Sequence, residues 1–87
     1  MTTPAELAPT AESIEDDLLR FLKDRLGTEV APDLDLFASG SVTSLFAMEL
    51  VVHLEQSYDV VIAGGDLQMD NFRSVQQMTA LVLRLRA

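Results

Sequence analysis

The sequence predicts a small all-α fold: a four-helix bundle with three main helices and one short third helix. Three observations predict it. The chain has 87 residues, the size of one domain. Apolar residues recur at three- and four-residue steps in three separate segments, which marks one inward face on each of three helices. The β-branched run Val60-Val61-Ile62 has no obvious partner strand elsewhere, so it reads as buried loop.

Residues 1–9 carry Pro4 and Pro9 among small neighbours and show no periodicity. They read as a disordered lead-in to a domain over 10–87. The first helix should begin between Thr10 and Ser13, with Ser13 and Asp16 as a capping pair and Glu15, Asp16 and Asp17 at the positive end of the helix dipole. Ile14, Leu18, Phe21, Leu22 and Leu26 form its apolar face, and Gly27 is a natural stop. A long loop follows over residues 28–43. Pro32 bars helix continuation, while Leu34, Leu36 and Phe37 are positioned to pin the loop to the bundle.

The second helix should run from Ser44 to about Tyr58 with Thr43 as its cap. Gly64-Gly65 marks a turn, and Asp66 to about Asp70 fits one short helical turn. The last helix should start near Ser74, with Val75, Met78, Leu81, Val82 and Leu85 inward.

Net charge is −8, and no Lys or Arg occurs between Arg25 and Arg73. That stretch holds Glu29, Asp33, Asp35, Glu49, Glu55, Asp59, Asp66 and Asp70. Nucleic-acid binding needs cations against phosphates, so this acidic middle argues against it. It suits basic surfaces on partner proteins, or solubility alone. There is no cysteine, so disulfides, thiolate metal sites and an intrinsic thiol nucleophile are excluded. No apolar run is long enough to span a bilayer, and the polar start is no signal peptide, so a cytoplasmic protein is expected.

Catalytic constellations do not assemble. His53 lies too far along the second helix from Ser44, and on another azimuth, to act as its base. Asp33 and Asp35 open like a calcium loop, but Phe37 and Gly40 break the ligand spacing. Gly64-Gly65-Asp66 is too short to cradle a nucleotide, and Asp16 and Asp17 point apart on their helix.

The second helix carries two apolar stripes. At about 100° per residue, Phe46, Ala47, Leu50, Val51, Leu54 and Tyr58 share the arc expected to face the core. Leu45, Met48 and Val52 fall on a second stripe, flanked by Glu49, Glu55 and Gln56 and headed by Ser44. An exposed stripe of this kind would give a partner affinity, and the acids would set its register. Leu45, Met48, Glu49, Val52 and Glu55 are therefore the expected partner-binding residues. Met48→Ala or charge reversal at Glu55 is expected to leave stability nearly unchanged.

Asp35-Leu36-Phe37, Gly40, Ser44-Leu45, Glu49-Leu50-Val51, Leu54-Glu55 and Asn71-Phe72-Arg73-Ser74-Val75 resemble, in order and spacing, acyl carrier proteins. The resemblance covers residues 13–86. It implies that a phosphopantetheinyl transferase moves 4′-phosphopantetheine from coenzyme A onto Ser44, and that the arm's thiol holds an acyl group as a thioester. It also implies no catalytic residues of the protein's own. The implied partners are an acyl-loading enzyme and a polyketide synthase or other acyl-transfer enzymes. Gly40 and Ser41 are expected to leave room for the arm.

One position departs from the family pattern, because Thr43 stands where such carriers commonly have Asp. The stretches Leu45–Val51 and Asp70–Val75 look most like discrete carriers of polyketide pathways, some of which hold glyceryl- or methoxymalonyl-type units. Met1 and the chain end soon after the last helix suit a freestanding, monomeric carrier. The rival readings are an aminoacyl or peptidyl carrier and an unmodified helical adaptor.

Overall fold

The computed structural model describes residues 8–87, so most of the expected lead-in lies outside the described residues. Three α-helices form: α1 (Ala11–Leu26), α2 (Ser44–Tyr58) and α3 (Val75–Arg86). No strand occurs among the described residues. The all-α class is as expected. The short third element takes the form of two separate 3₁₀ turns, Gly64–Asp66 and Met69–Phe72.

Each helix begins where a hydroxyl can replace a missing carbonyl. Thr10 caps α1 in a reciprocal box: its Oγ1 accepts from Ser13 N at 3.1 Å, and Ser13 Oγ accepts from Thr10 N at 2.8 Å. The cap therefore sits one turn earlier than the Ser13–Asp16 pairing. A serine at the third helical position reaches the cap N–H as Glu or Gln does in the longer version. Gly27 ends α1 with φ 75° and donates to Lys23 O at 2.8 Å, a backbone geometry that disfavours residues with a Cβ. Thr43 caps α2, and Ser74 caps α3.

The core is a single cluster. Ile14, Leu18 and Leu22 of α1, Leu50 and Leu54 of α2, and Val75, Met78 and Val82 of α3 are fully buried. Each such side chain contributes about 1.5–3 kcal/mol by leaving water. Phe21 and Leu26 of the expected α1 face, and Leu85 of α3, only pack at the cluster's margin. Thr79 of α3 is also buried, and its Oγ1 has no partner among the described residues.

The loop between α1 and α2 is bonded to the far side of the bundle. Leu36 is fully buried, and its N–H donates to Arg73 O at 2.7 Å. Val42 N–H donates to Leu36 O and Gln76 N–H to Pro32 O, each at 3.0 Å. Arg73 binds both Asp35 and Asp70 through its guanidinium. Leu36 plugs the core as expected, Leu34 and Phe37 are half-buried, and Val42 is a buried anchor that periodicity did not reveal.

After α2 the chain turns at Asp59, which takes the left-handed conformation (φ 54°, ψ 48°). Val60 and Ile62 point inward while Val61 is exposed, so the β-branched run is a lone extended segment against the core. Ile62 N–H donates to Glu55 Oε2 at 2.8 Å, replacing the strand partner it lacks.

Candidate functional site

The loop delivers Ser44 to the first turn of α2. Asp35 Oδ1 accepts the N–H groups of Phe37 and Ala38, at 3.1 and 2.9 Å, which folds the chain into a tight turn. The Ala38 N–H in particular, aided by Arg73, holds the Asp35 carboxyl below its ordinary range. Gly40 then takes φ 78° and reverses the chain. A Cβ there would meet nothing within 4 Å, so the glycine is needed for its backbone angle and not for clearance.

Thr43 Oγ1 accepts from Phe46 N at 3.1 Å and Thr43 O accepts from Ala47 N at 2.9 Å. The Ser44 and Leu45 N–H groups have no acceptor among the described residues. The first turn of α2 carries no acid. Ser44 is exposed, and no hydrogen bond to its Oγ occurs among the described residues. Unpaired N–H groups at the positive end of a 15-residue helix suit a phosphate ester.

The site's two flanks differ. On one side a cavity of about 220 Å³ lies between Ser44, Phe37, Val51 and Phe72, with Leu67 and Met69 at its mouth. Its surroundings are apolar apart from Ser44 and Gln68. On the other side a groove of about 480 Å³ runs between α1 and α2 past Leu45, Met48 and Val52. Those three side chains are 82%, 56% and 49% exposed, so the second stripe faces outward as read from the sequence.

The acids flanking the stripe are already engaged. Glu49 is ion-paired with Arg25 of α1. Glu55 holds the Ile62 N–H, so charge reversal there would remove an internal acceptor, against the expectation that it spares stability. His53 is a boundary residue, stacked on Phe21 at 3.9 Å and 3.1 Å from Asp17 Oδ2. The same Asp17 oxygen accepts from Tyr58 Oη at 2.9 Å. Burial, and then the Asp17 carboxylate, push the Tyr58 phenol well above its ordinary pKa.

Sequence reading missed Leu67 and Met69. Both are large apolar residues about half exposed, in a segment bounded by turn formers, and that contrast was the available signal. It also missed the pairing of Arg25 with Glu49 across α1 and α2.

Among the described residues no catalytic pair stands near the exposed Ser44 hydroxyl, and the arrangement is a small helical scaffold that presents this hydroxyl to solvent. The family model for the phosphopantetheine attachment site matches residues 16–82. The chain belongs to that family, and 4′-phosphopantetheine is its cofactor. Such domains are carriers, generally without catalysis of their own, and work with a phosphopantetheinyl transferase and acyl-handling enzymes. No curated protein matches the chain.

Proposed function

We propose that Ser44 receives the 4′-phosphopantetheine arm, making residues 10–87 an acyl carrier domain. One observation carries this reading: Ser44 is an exposed, unengaged hydroxyl at a helix N-terminus within the matched region. The other serines of that region are poorer acceptors. Ser39 and Ser41 bond to one another at 2.9 Å, and Ser74 is buried and caps α3. Ser57 lies in the last turn of α2, at the end of the dipole that disfavours a phosphate.

When attached, the arm supplies the thiol that this cysteine-free chain lacks, and that thiol holds the acyl group. The chain's own residues anchor and orient. Ser44 Oγ forms the ester, and the free N–H groups of Ser44 and Leu45 face it. The cavity beside Ser44 offers shelter to the apolar part of an acyl group. Leu45, Met48, Glu49, Val52 and Glu55 remain the proposed partner-binding set. Leu45, Met48 and Val52 lie on the exposed stripe, Glu49 borders it in its ion pair, and Glu55 flanks it with its carboxylate bonded to Ile62 N–H.

We assign the carrier to polyketide or related secondary-metabolite synthesis, with glyceryl- or methoxymalonyl-type units as candidate cargo, on the sequence stretches named above. We place it in the cytoplasm as a monomer without enzymatic activity. In support of that placement, no helix among the described residues is long and apolar enough to cross a membrane.

The test is an intact mass after incubation with coenzyme A, Mg²⁺ and a broad-specificity transferase. A gain of one arm, lost in Ser44→Ala and retained in Ser41→Ala, supports the reading. No gain with several transferases overturns it in favour of an unmodified adaptor. A further mass step with candidate loading enzymes identifies the cargo.

A further inference from the structure

The chain has no cysteine, so its own sulfur is all thioether, in Met1, Met48, Met69 and Met78. Met1 lies outside the described residues. Of the other three, Met78 is fully buried in the core, while Met48 and Met69 are 56% and 51% exposed. The two exposed methionines come from different elements, α2 and the second 3₁₀ turn. Both nevertheless line the cavity beside Ser44. A hydroperoxide in solvent reaches these two side chains directly, and reaches Met78 only when the core opens.

With hydrogen peroxide, a sulfur lone pair attacks one peroxide oxygen, the O–O bond breaks and an S–O bond forms. The proton of the transferred hydroxyl passes to the departing hydroxide, which leaves as water. The sulfur gives up two electrons and the peroxide takes them. An apolar, flexible side chain becomes a polar sulfoxide. The cavity suits that product poorly, because its only polar side chains are Ser44 and Gln68. A sulfoxide oxygen turned toward the cavity is either unsatisfied or takes one of those two as donor. Ser44 lies one turn before Met48 on α2, so the two side chains are neighbours on the helix surface. The Ser44 Oγ has no hydrogen bond among the described residues. Oxidation of Met48 therefore sets a strong acceptor beside the one hydroxyl that loading requires to be unengaged.

We infer that Met48 and Met69 form a paired oxidation site, and that hydroperoxide acting there slows loading of Ser44 until the sulfoxides are reduced. This rests on the reading of Ser44 as the loaded residue, and adds to it a control by oxidant. Reduction restores each thioether with a dithiol as electron source, the dithiol leaving as a disulfide and the oxygen as water. Selectivity comes from the fold, which keeps Met78 out of water and leaves the pair at the cavity in reach.

The full chain, before arm addition, is treated with hydrogen peroxide, the peroxide is destroyed with catalase, and the added oxygens are mapped by peptide mass. Met48 and Met69 are expected to take up oxygen at least about tenfold faster than Met78. Arm addition by a phosphopantetheinyl transferase is then followed by intact mass at subsaturating carrier. Its rate is expected to fall about fivefold, and to recover after treatment with methionine sulfoxide reductases and dithiothreitol. Met48→Leu with Met69→Leu keeps the apolar volume without the sulfur, so its treated rate matches its own untreated rate. The same variant sets apart any oxidation at Met1. The circular-dichroism melting temperature of the treated chain stays unchanged, because both side chains already face water.

Oxygen uptake at Met78 as fast as at the pair, or a melting temperature that drops with oxidation, overturns the oxidation site. An unchanged loading rate with both sulfoxides formed, or an equal loss in the double leucine variant, overturns the control of loading while leaving Ser44 as the attachment site. Absence of arm addition to the untreated chain overturns the reading of Ser44 and the control of loading together, and the oxygen map still decides the oxidation site.

Discussion

Leu18 and Leu45 are the same residue on neighbouring helices, yet one is fully buried and the other 82% exposed. The α1–α3 side of the molecule is closed, with Ile14, Leu18, Leu22, Met78 and Val82 completely out of water. The outer face of α2 is open, with Leu45, Met48 and Val52 facing solvent beside an unengaged hydroxyl. Scattered exposed apolar residues are ordinary, but a stripe of three along one groove is what the proposed partner contact requires. The difference separates residues that hold the fold from residues the fold displays.

Truncation breaks that comparison most directly. Leu18→Ala should cost about 2–5 kcal/mol, because it removes packing and leaves a cavity. For so small a domain this is a large share of the stability, and urea titration would show it. A cost below about 1 kcal/mol would mean the α1–α3 side is looser than described.

Glu55→Ala should cost about 1–3 kcal/mol, since Ile62 is 3% exposed and its N–H would lose its acceptor. Glu55→Gln, which keeps an oxygen, should recover much of this. Equal losses in both variants would assign the effect to charge.

Acid titration sharpens the loop's part. The Asp35 carboxyl is lowered in the fold, so its contribution is complete above its ordinary value of 3.8 and fades as pH falls below it. Asp35→Asn should flatten the acid limb of stability against pH in that range. The smallest effect is expected for Leu45→Ala, within about 0.5 kcal/mol of the parent. A larger loss would place Leu45 inside the fold and remove it from the contact surface.

Much of this was legible in the chain. Thr43, Ser44 and Tyr58 bound α2 as read, because a hydroxyl cap and a β-branched run leave few choices. The outward stripe was legible for the same reason, since a 3.6-residue period fixes which side chains oppose the core. Ser44 stood out as a hydroxyl at a helix start, and the structure adds that its neighbours Ser39 and Ser41 are occupied.

What escaped was tertiary. Arg25 and Glu49 are 24 residues apart, and no local pattern announces that pair. Glu55 reads as one more surface acid until Ile62 comes round to meet it. The third element was uncertain because Gly64-Gly65 and Asp70-Asn71 are turn formers on either side of Leu67. Short tight turns satisfy such a sequence as well as one helical turn does.

Arg73 grips Asp35 with one nitrogen, Asp70 with others, and Leu36 N–H with its own carbonyl. The two lips of the cavity beside Ser44, carrying Phe37 and Phe72, are thus laced together by a single residue. Both guanidinium pairs are partly exposed, so they tie the lips only weakly. An acyl group of the proposed carrier that needs a wider berth has only that tie to undo.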